Sequence, residues 1–410
     1  MNLLLSAYAC EPNRGSEEGV GWNIVTQAAK SHEVWVLTRS FYRLAIEAEL
    51  KRSPQPKIHF VYFDPFNWTS DWRDTQGAVQ LHYYLWQIQA YFKARSLHQN
   101  IFFDLLQHVT YVKYWSPSFL ALLPSPFIWG PVGGGESAPR SFWMGFGFRG
   151  QVYETLRSIA QGVGELDPFT RLTAHRSTLA IATTCETAKR VRNLGAFSVD
   201  VASQVALSTS EIEALCQVEP AQDGPIRFVS IGRLIHWKGF HLGISAFAQA
   251  KIPDSEYWIV GEGAEKSRLA ALAQALGVQN QVKFLGKLDR KELFSLLSQC
   301  HVLLHPSLHD SGGQVCAEMM AASRPVVCLD LGGPALQVTE ATGIKVPAHN
   351  PEKTIADMAK AMNRLANDSA LRLQMGEAGQ QRVKAEFNWD FIGQSLAQTY
   401  QAVLEECKGL

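Results

Sequence analysis

The sequence predicts an α/β protein made of two Rossmann-like, doubly wound domains that face a central cleft. Three observations predict it. At 410 residues the chain is too long for one ordinary core and suits two domains of about 200 residues each. Short β-rich runs alternate with amphipathic stretches through both halves, as they do where parallel strands are joined by helices. The polar stretch Ser208–Pro225, ending Asp223-Gly224-Pro225, reads as the connection between the halves.

In the first half the expected strands are Leu3–Tyr8, Val34–Thr38, Ile58–Phe63, Leu105–Val109, Phe127–Trp129 and Leu179–Thr183. Between them lie helical stretches at Gly19–Lys30, Phe41–Leu50, Leu81–His98 and Thr187–Asn193. In the second half strands are expected at Arg227–Ile231, Tyr257–Val260, Val282–Leu285, His301–His305 and Pro325–Leu329. The helices between them are Phe240–Ala250, Ala264–Leu276, Arg290–Gln299 and Gln314–Ala322. Pro351–Leu404 reads as helix throughout, too long for one βα unit. The expected division is residues 1–205, residues 206–388, and a C-terminal helix at 389–410 that crosses back to the first domain.

Composition excludes several classes. Thirty-eight Lys and Arg balance 38 Asp and Glu, so the field of a polybasic nucleic-acid binder is missing and no nucleic-acid partner is expected. With 46% hydrophobic and 19% charged residues the chain has the makings of large cores. The seven cysteines are odd in number, scattered and never spaced CxxC, which suits a reducing compartment. Met1–Tyr8 has no basic leader region, and no run of 18 apolar residues occurs. A cytoplasmic protein is expected, with peripheral contact at the cytoplasmic membrane face left open.

Doubly wound sheets bind ligands at the carboxyl ends of their strands, so the chemistry is sought there. After Phe228–Ile231 comes Gly232-Arg233-Leu234-Ile235-His236-Trp237-Lys238-Gly239. Arg233 offers a planar fork and Lys238 a point charge, the composition of a diphosphate clamp. The alternative is two solvated cations on a loop. After His305-Pro306 comes His309-Asp310-Ser311-Gly312-Gly313-Gln314-Val315-Cys316-Ala317-Glu318. Two acceptor-only carboxylates, Asp310 and Glu318, flank amides at Gly312 and Gly313, a set suited to hydroxyl-rich ligands and phosphate. An N-capping Asp and a surface Glu would be the plainer reading.

These motifs, with Gly332-Gly333-Pro334 after them, resemble the donor domain of GT-B glycosyltransferases, specifically the retaining group-1 (family four) enzymes. Two further stretches are similar to glycine loops of the same family's acceptor domain. They are Ala9-Cys10-Glu11-Pro12-Asn13-Arg14-Gly15-Ser16-Glu17-Glu18-Gly19-Val20-Gly21-Trp22 and Trp129-Gly130-Pro131-Val132-Gly133-Gly134-Gly135-Glu136. The resemblance implies a hexosyltransferase moving a sugar from a nucleotide-diphosphate sugar to a glycan or lipid-linked acceptor, in polysaccharide or glycolipid biosynthesis. It implies that Arg233 and Lys238 hold the diphosphate, that Asp310 meets hydroxyls of the transferred sugar, and that Glu318 takes the ribose. Gly232 and Ser311 would border the donor, with the Gly312 and Gly313 amides near sugar and phosphates. Gly15 and Ser16 would let backbone approach the donor phosphate. Glu17, Gly133, Gly134, Gly135 and Glu136 would lie on the acceptor side, and His108 would face the reacting carbon; a structural histidine is the alternative there. One departure stands out: the family's first acid is usually Glu, and Asp310 is one methylene shorter.

The family is thought to use the departing phosphate as base, so no cofactor is expected and the nucleotide sugar is substrate. No Asp-x-Asp motif occurs, and His301, His305 and His309, read as a strand and loop, do not converge, so no metal is expected. The aromatic run Ser141–Arg149 reads either as an interfacial anchor or lipid-linked acceptor groove, or as a core-packing loop. Phe63–Trp72 could line a saccharide groove. The rival functions are a GT-B epimerase or phosphorylase and a catalytically silent nucleotide-sugar-binding subunit.

Overall fold

In the computed structural model residues 1–65, 76–221 and 224–408 are described. Trp68 and Trp72 of the suggested saccharide groove, and Asp223 of the connection, lie outside them. By internal packing the chain divides into an N-unit (Met1–Gly135, Ser158–Gln204, Trp389–Leu410) and a C-unit (Glu136–Arg157, Val205–Asn388).

The strands of the N-unit are β1 (Asn2–Ala7), β2 (Glu33–Thr38), β3 (Ile58–Tyr62), β4 (Leu105–Thr110), β5 (Phe127–Val132), β6 (Leu179–Ala182) and β7 (Val199–Val201). Those of the C-unit are β8 (Ile226–Ile231), β9 (Ser255–Val260), β10 (Val282–Gly286), β11 (Val302–His305), β12 (Val326–Leu329) and β13 (Gly343–Val346). Among the described residues the sheet orders are β3-β2-β1-β4-β5-β6-β7 and β10-β9-β8-β11-β12-β13. All pairings within them are parallel; β1 runs beside β4 from Leu3↔Leu105, and β8 beside β11 from Val302↔Phe228. Near-continuous burial of strands such as β4 (LLQHVT) and β12 (VVCL) reflects helices on both faces.

The helices are α1 (Ser16–Ala29), α2 (Arg43–Arg52), α3 (Gln76–Ile101), α4 (Gly147–Leu166), α5 (Pro168–Arg176) and α6 (Cys185–Asn193). They continue with α7 (Thr209–Cys216), α8 (Phe240–Ala250), α9 (Lys266–Ala275), α10 (Arg290–Leu297), α11 (Gln314–Ala321) and α12 (Gly332–Gln337). The tail is α13 (Pro351–Asn367), α14 (Ser369–Glu386) and α15 (Trp389–Lys408); Asn350 caps the start of α13 and Asp368 that of α14. Helix α15 packs on α1 in the N-unit, where Lys30 pairs with Asp390 at 2.6 Å and Tyr400 donates to Gln107 inside the core.

Helices α4, α5, α7 and α12 and strands β7 and β13 are additions to the sequence reading, with α7 inside the stretch read as the connection. Strands β7 and β13, three and four residues long, carry too few side chains to show a period. Helix α4 gives little sequence signal because Gly147, Gly150, Gly162 and Gly164 lower its intrinsic propensity. Residues 136–157, expected in the first domain, group with the C-unit. The reason is apolar burial: Phe142 and Phe146 are fully enclosed in the core formed by Leu234, Phe240, Leu242 and their neighbours. Two of the four aromatics in the Ser141–Arg149 run are therefore core, whereas Met144 and Phe148 are exposed.

Candidate active site

Both sheets reverse their strand order beside the first strand of the unit, between β1 and β4 and between β8 and β11. Loops leave such a switch point in opposite directions and open a crevice at the strand ends. In the C-unit the two loops at that point carry Arg233 and Lys238, after β8, and Asp310 through Gly313, after β11.

The fold holds these loops together through backbone. Gly239 has φ of 68°, and a Cβ there would overlap the Pro306 carbonyl oxygen, so only glycine lets the two loops touch. Leu308 N–H donates to the Trp237 carbonyl at 2.8 Å. The result is a close ion pair between Lys238 Nζ and Asp310 Oδ2, with His305 Nε2 3.3 Å from the same oxygen. Burial alone would raise the Asp310 pKa, but the His305 imidazole and the Lys238 charge outweigh it and hold the carboxyl well below its ordinary range. Burial pushes His305 down, against the pull of Asp310. Arg233 is exposed and makes no ion pair among the described residues.

The amides of Gly312 and Gly313 are not bare: they donate to Asp310 Oδ1 at 3.3 and 3.2 Å. This is a local side-chain turn, and it suits an acid one methylene shorter than Glu. The loop rests on α12, where Gly333 N–H donates to the Asp310 carbonyl at 2.8 Å. Half-buried Glu318 lies in the second turn of α11, beyond Gly312 and Gly313. Gly232 leaves β8 by an N–H bond to the Val260 carbonyl at 2.9 Å, and Ser311 is half-buried beside Asp310.

A buried carboxylate behind these two loops supports both of them. Glu154 of α4, 1% exposed at its side chain, brings Oε1 within 3.1 Å of His236 Nε2 and 3.2 Å of His309 Nε2. Tyr153, Trp237 and His309 stack in three layers, with centroids 5.0 Å apart at each step. Burial would raise the Glu154 pKa, yet hydrogen bonds from the two imidazoles and the charge of Arg157 bring it to about 2. One carboxylate thus ties the loop of Lys238 to the loop of Asp310. No local motif signals it, because Glu154 is 82 residues from His236 and 155 from His309.

In the N-unit Gly15 caps α1 at its amino end, between Asn13 and Ser16, whose φ angles are 59° and 61°. A Cβ on Gly15 would meet open space, whereas one on Gly19 would overlap the Arg14 carbonyl. Glu17 accepts from the Tyr111 amide at 3.1 Å, and burial raises its pKa. The Gly133 amide is spent on the Val112 carbonyl and that of Gly135 on Thr187 Oγ1, at 2.8 and 3.0 Å. Gly134 accepts from Gln161. Glu136 is buried and falls in the C-unit.

His108, on β4, is fully enclosed, with Nε2 3.1 Å from both Tyr83 Oη and Gln87 Nε2. Burial lowers its pKa to about 3, so the imidazole is neutral. The unfolded chain takes a proton near the ordinary value of 6.5 and the fold does not. Stability is therefore expected to fall below that pH by about 1.4 kcal/mol per unit through this group. Urea unfolding between pH 6.5 and 4.5 checks it, with His108→Gln losing that part of the slope.

His301, His305 and His309 face different partners. His301 Nδ1 accepts from the Arg227 amide, His305 faces Asp310, and His309 faces Glu154. Among the described residues no cluster of three or more His, Cys, Asp or Glu has the arrangement of a metal site.

Residues 211–382 match the family model described as glycosyl transferases group 1. Over 182 residues the chain is 30% identical to glycogen synthase from Mycobacterium tuberculosis, covering 44% of this chain and 43% of that one. It is 30% identical over 236 residues to the lipopolysaccharide core biosynthesis glycosyltransferase LpsE of Rhizobium meliloti, 56% of this chain and 66% of that one. The chain thus spans less than half of the glycogen synthase it matches. The solved structure of Anabaena Alr3699/HepE in complex with UDP superposes with a TM-score of 0.60 at 18% identity, covering 98% of this chain and 99% of that one. Residues 211–382, within the C-unit, thus match the group 1 glycosyl transferases, and the chain has a GT-B fold.

Proposed function

We propose that the chain transfers a sugar from a nucleotide-diphosphate sugar to a glycan or glycolipid acceptor, with retention of configuration and without a divalent metal. The observation that supports it is the Lys238–Asp310 pair at the β8/β11 switch point, with Arg233 exposed on the same loop as Lys238. A bound diphosphate takes over Lys238 and gains Arg233. Asp310, released from the lysine, turns to hydroxyls of the sugar, and Glu318 takes the ribose. The two cations stabilise charge that gathers on the departing diphosphate. The departing phosphate oxygen accepts the acceptor proton on the face it leaves, which is how configuration is kept. HepE carries UDP in its solved structure and LpsE is named for lipopolysaccharide core assembly, so a UDP-sugar and a glycolipid head the panel.

Thermal shifts with UDP-, GDP- and ADP-sugars in the presence of a chelator test the donor half. One nucleotide class at 100 times its Kd should add about 2.7 kcal/mol of stability. NMR of the product's anomeric proton tests the rest, and an inverted product or a requirement for metal would refute this mechanism.

The same reading gives Gly15 a role that the fold does not demand. Gly15→Ala should cost no more than about 1 kcal/mol of stability, as a cap substitution in open space. Turnover should nevertheless fall tenfold or more if donor phosphate approaches this backbone. Equal kcat/KM in the two proteins would remove Gly15 from the site.

A further inference from the structure

Helix α4 is amphipathic in the wrong sense for a helix covering a core. Its buried side carries Gly150, Glu154, Gln161 and Gly164. Its solvent side carries Phe148, Val152, Leu156, Ile159, Val163 and Leu166, which are 82, 41, 62, 57, 65 and 73% exposed. At 100° per residue these six fall within an arc of about 80°. Met144, 90% exposed, precedes them. Single exposed apolar residues need no explanation, but an aligned stripe more than five turns long does.

Along this stretch of the chain the exposed charges have one sign. From Arg140 to Arg176 the exposed ionised side chains are Arg140, Arg149, Arg171 and Arg176. The three carboxylates of this stretch are engaged elsewhere: Glu154 with two histidines, Glu165 with Arg190 and Tyr114, and Asp167 at the N-cap of α5. An apolar stripe within a stretch whose exposed charges are arginines complements a bilayer whose headgroups are anionic. It is a poor match for an acidic peptide, which offers nothing to cover six large apolar side chains.

We propose that the outer face of α4 is a membrane-docking surface, lying in the plane of an anionic lipid interface with its apolar side chains among the acyl chains. This rests on the helix alone and not on the transfer reaction, so either can fail without the other.

The full-length protein is sedimented with vesicles of phosphatidylcholine, and with vesicles of equal parts phosphatidylcholine and phosphatidylglycerol. The variant Leu156→Ser/Ile159→Ser/Val163→Ser changes only exposed positions and should keep its fold, which circular dichroism and melting check. The wild type should bind the mixed vesicles at least tenfold more tightly than the neutral ones, and more weakly as salt rises. The triple variant should lose at least tenfold in binding to the mixed vesicles. Absence of wild-type binding to mixed vesicles overturns the proposal, as does equal binding by the variant. Sedimentation equilibrium without lipid covers the remaining occupant: a wild-type dimer that the variant dissociates would make this face a contact between copies and overturn it too.

Discussion

Lys238→Ala is expected to lower kcat/KM for sugar transfer by about 10²–10³-fold, the usual loss when one preorganised contact to developing charge is removed. The lysine is held in place before any ligand arrives, because Asp310 fixes its ammonium and Gly239 fixes the loop. Little reorganisation is then left for the moment when the diphosphate departs. Lys238→Arg should restore only part of the activity, since a planar guanidinium does not occupy the place of a compact ammonium. Asp310→Asn is the informative partner. It frees Lys238 without removing it, so donor binding should persist while turnover drops. Steady-state kinetics on the four proteins of the Lys238→Ala, Asp310→Asn cycle decide the matter. A Lys238→Ala enzyme within tenfold of the wild type would show that the ion pair serves the fold and not the reaction.

Loss of Glu154 is expected to have the largest effect on stability. Glu154→Ala leaves two imidazoles from different loops without their common acceptor, and each charge-assisted bond contributes about 1.5–3 kcal/mol. A destabilisation of about 3–5 kcal/mol is expected, together with loosened positions of Lys238 and Asp310. The pH dependence separates this from simple cavity formation. The folded pKa of Glu154 is about 2, against an ordinary value of 4.5. Its stabilisation is therefore complete above pH 4.5 and is lost as pH falls toward 2, a total of about 3 kcal/mol. The groups facing it are His236, His309 and Arg157. The difference in unfolding free energy between wild type and Glu154→Gln should shrink by that amount across this range. A difference that stays constant with pH would mean that Glu154 is not ionised in the fold.

Much of this protein is readable residue by residue. Strands such as β1 and β12 show themselves through short buried apolar runs, and α8 and α13 through a clear helical period. Gly232 to Gly239 and His309 to Glu318 stand out because loops at a switch point must concentrate glycine and charge to approach a ligand. Helix α4 was opaque for two local reasons: its glycines lower its propensity, and its apolar stripe faces outward. The state of the Gly312 and Gly313 amides was opaque as well, since a glycine pair reads the same whether its N–H groups are bare or already bonded to Asp310.

The sequence by itself determined the two parallel α/β units, eleven of their thirteen described strands, and the two loops that carry the cations and the carboxylates. These depend on period, on glycine and proline, and on which residues sit next to one another, and all three are local properties. Tertiary structure alone decided that residues 136–157 belong to the C-unit, that Glu154 joins His236 to His309, and that His108 is enclosed and neutral. It also decided that Lys238 and Asp310, 72 residues apart, form one ion pair. Each of these depends on which distant side chains share a low-dielectric neighbourhood. Burial and charge pairing are fixed only when the whole chain has closed around them.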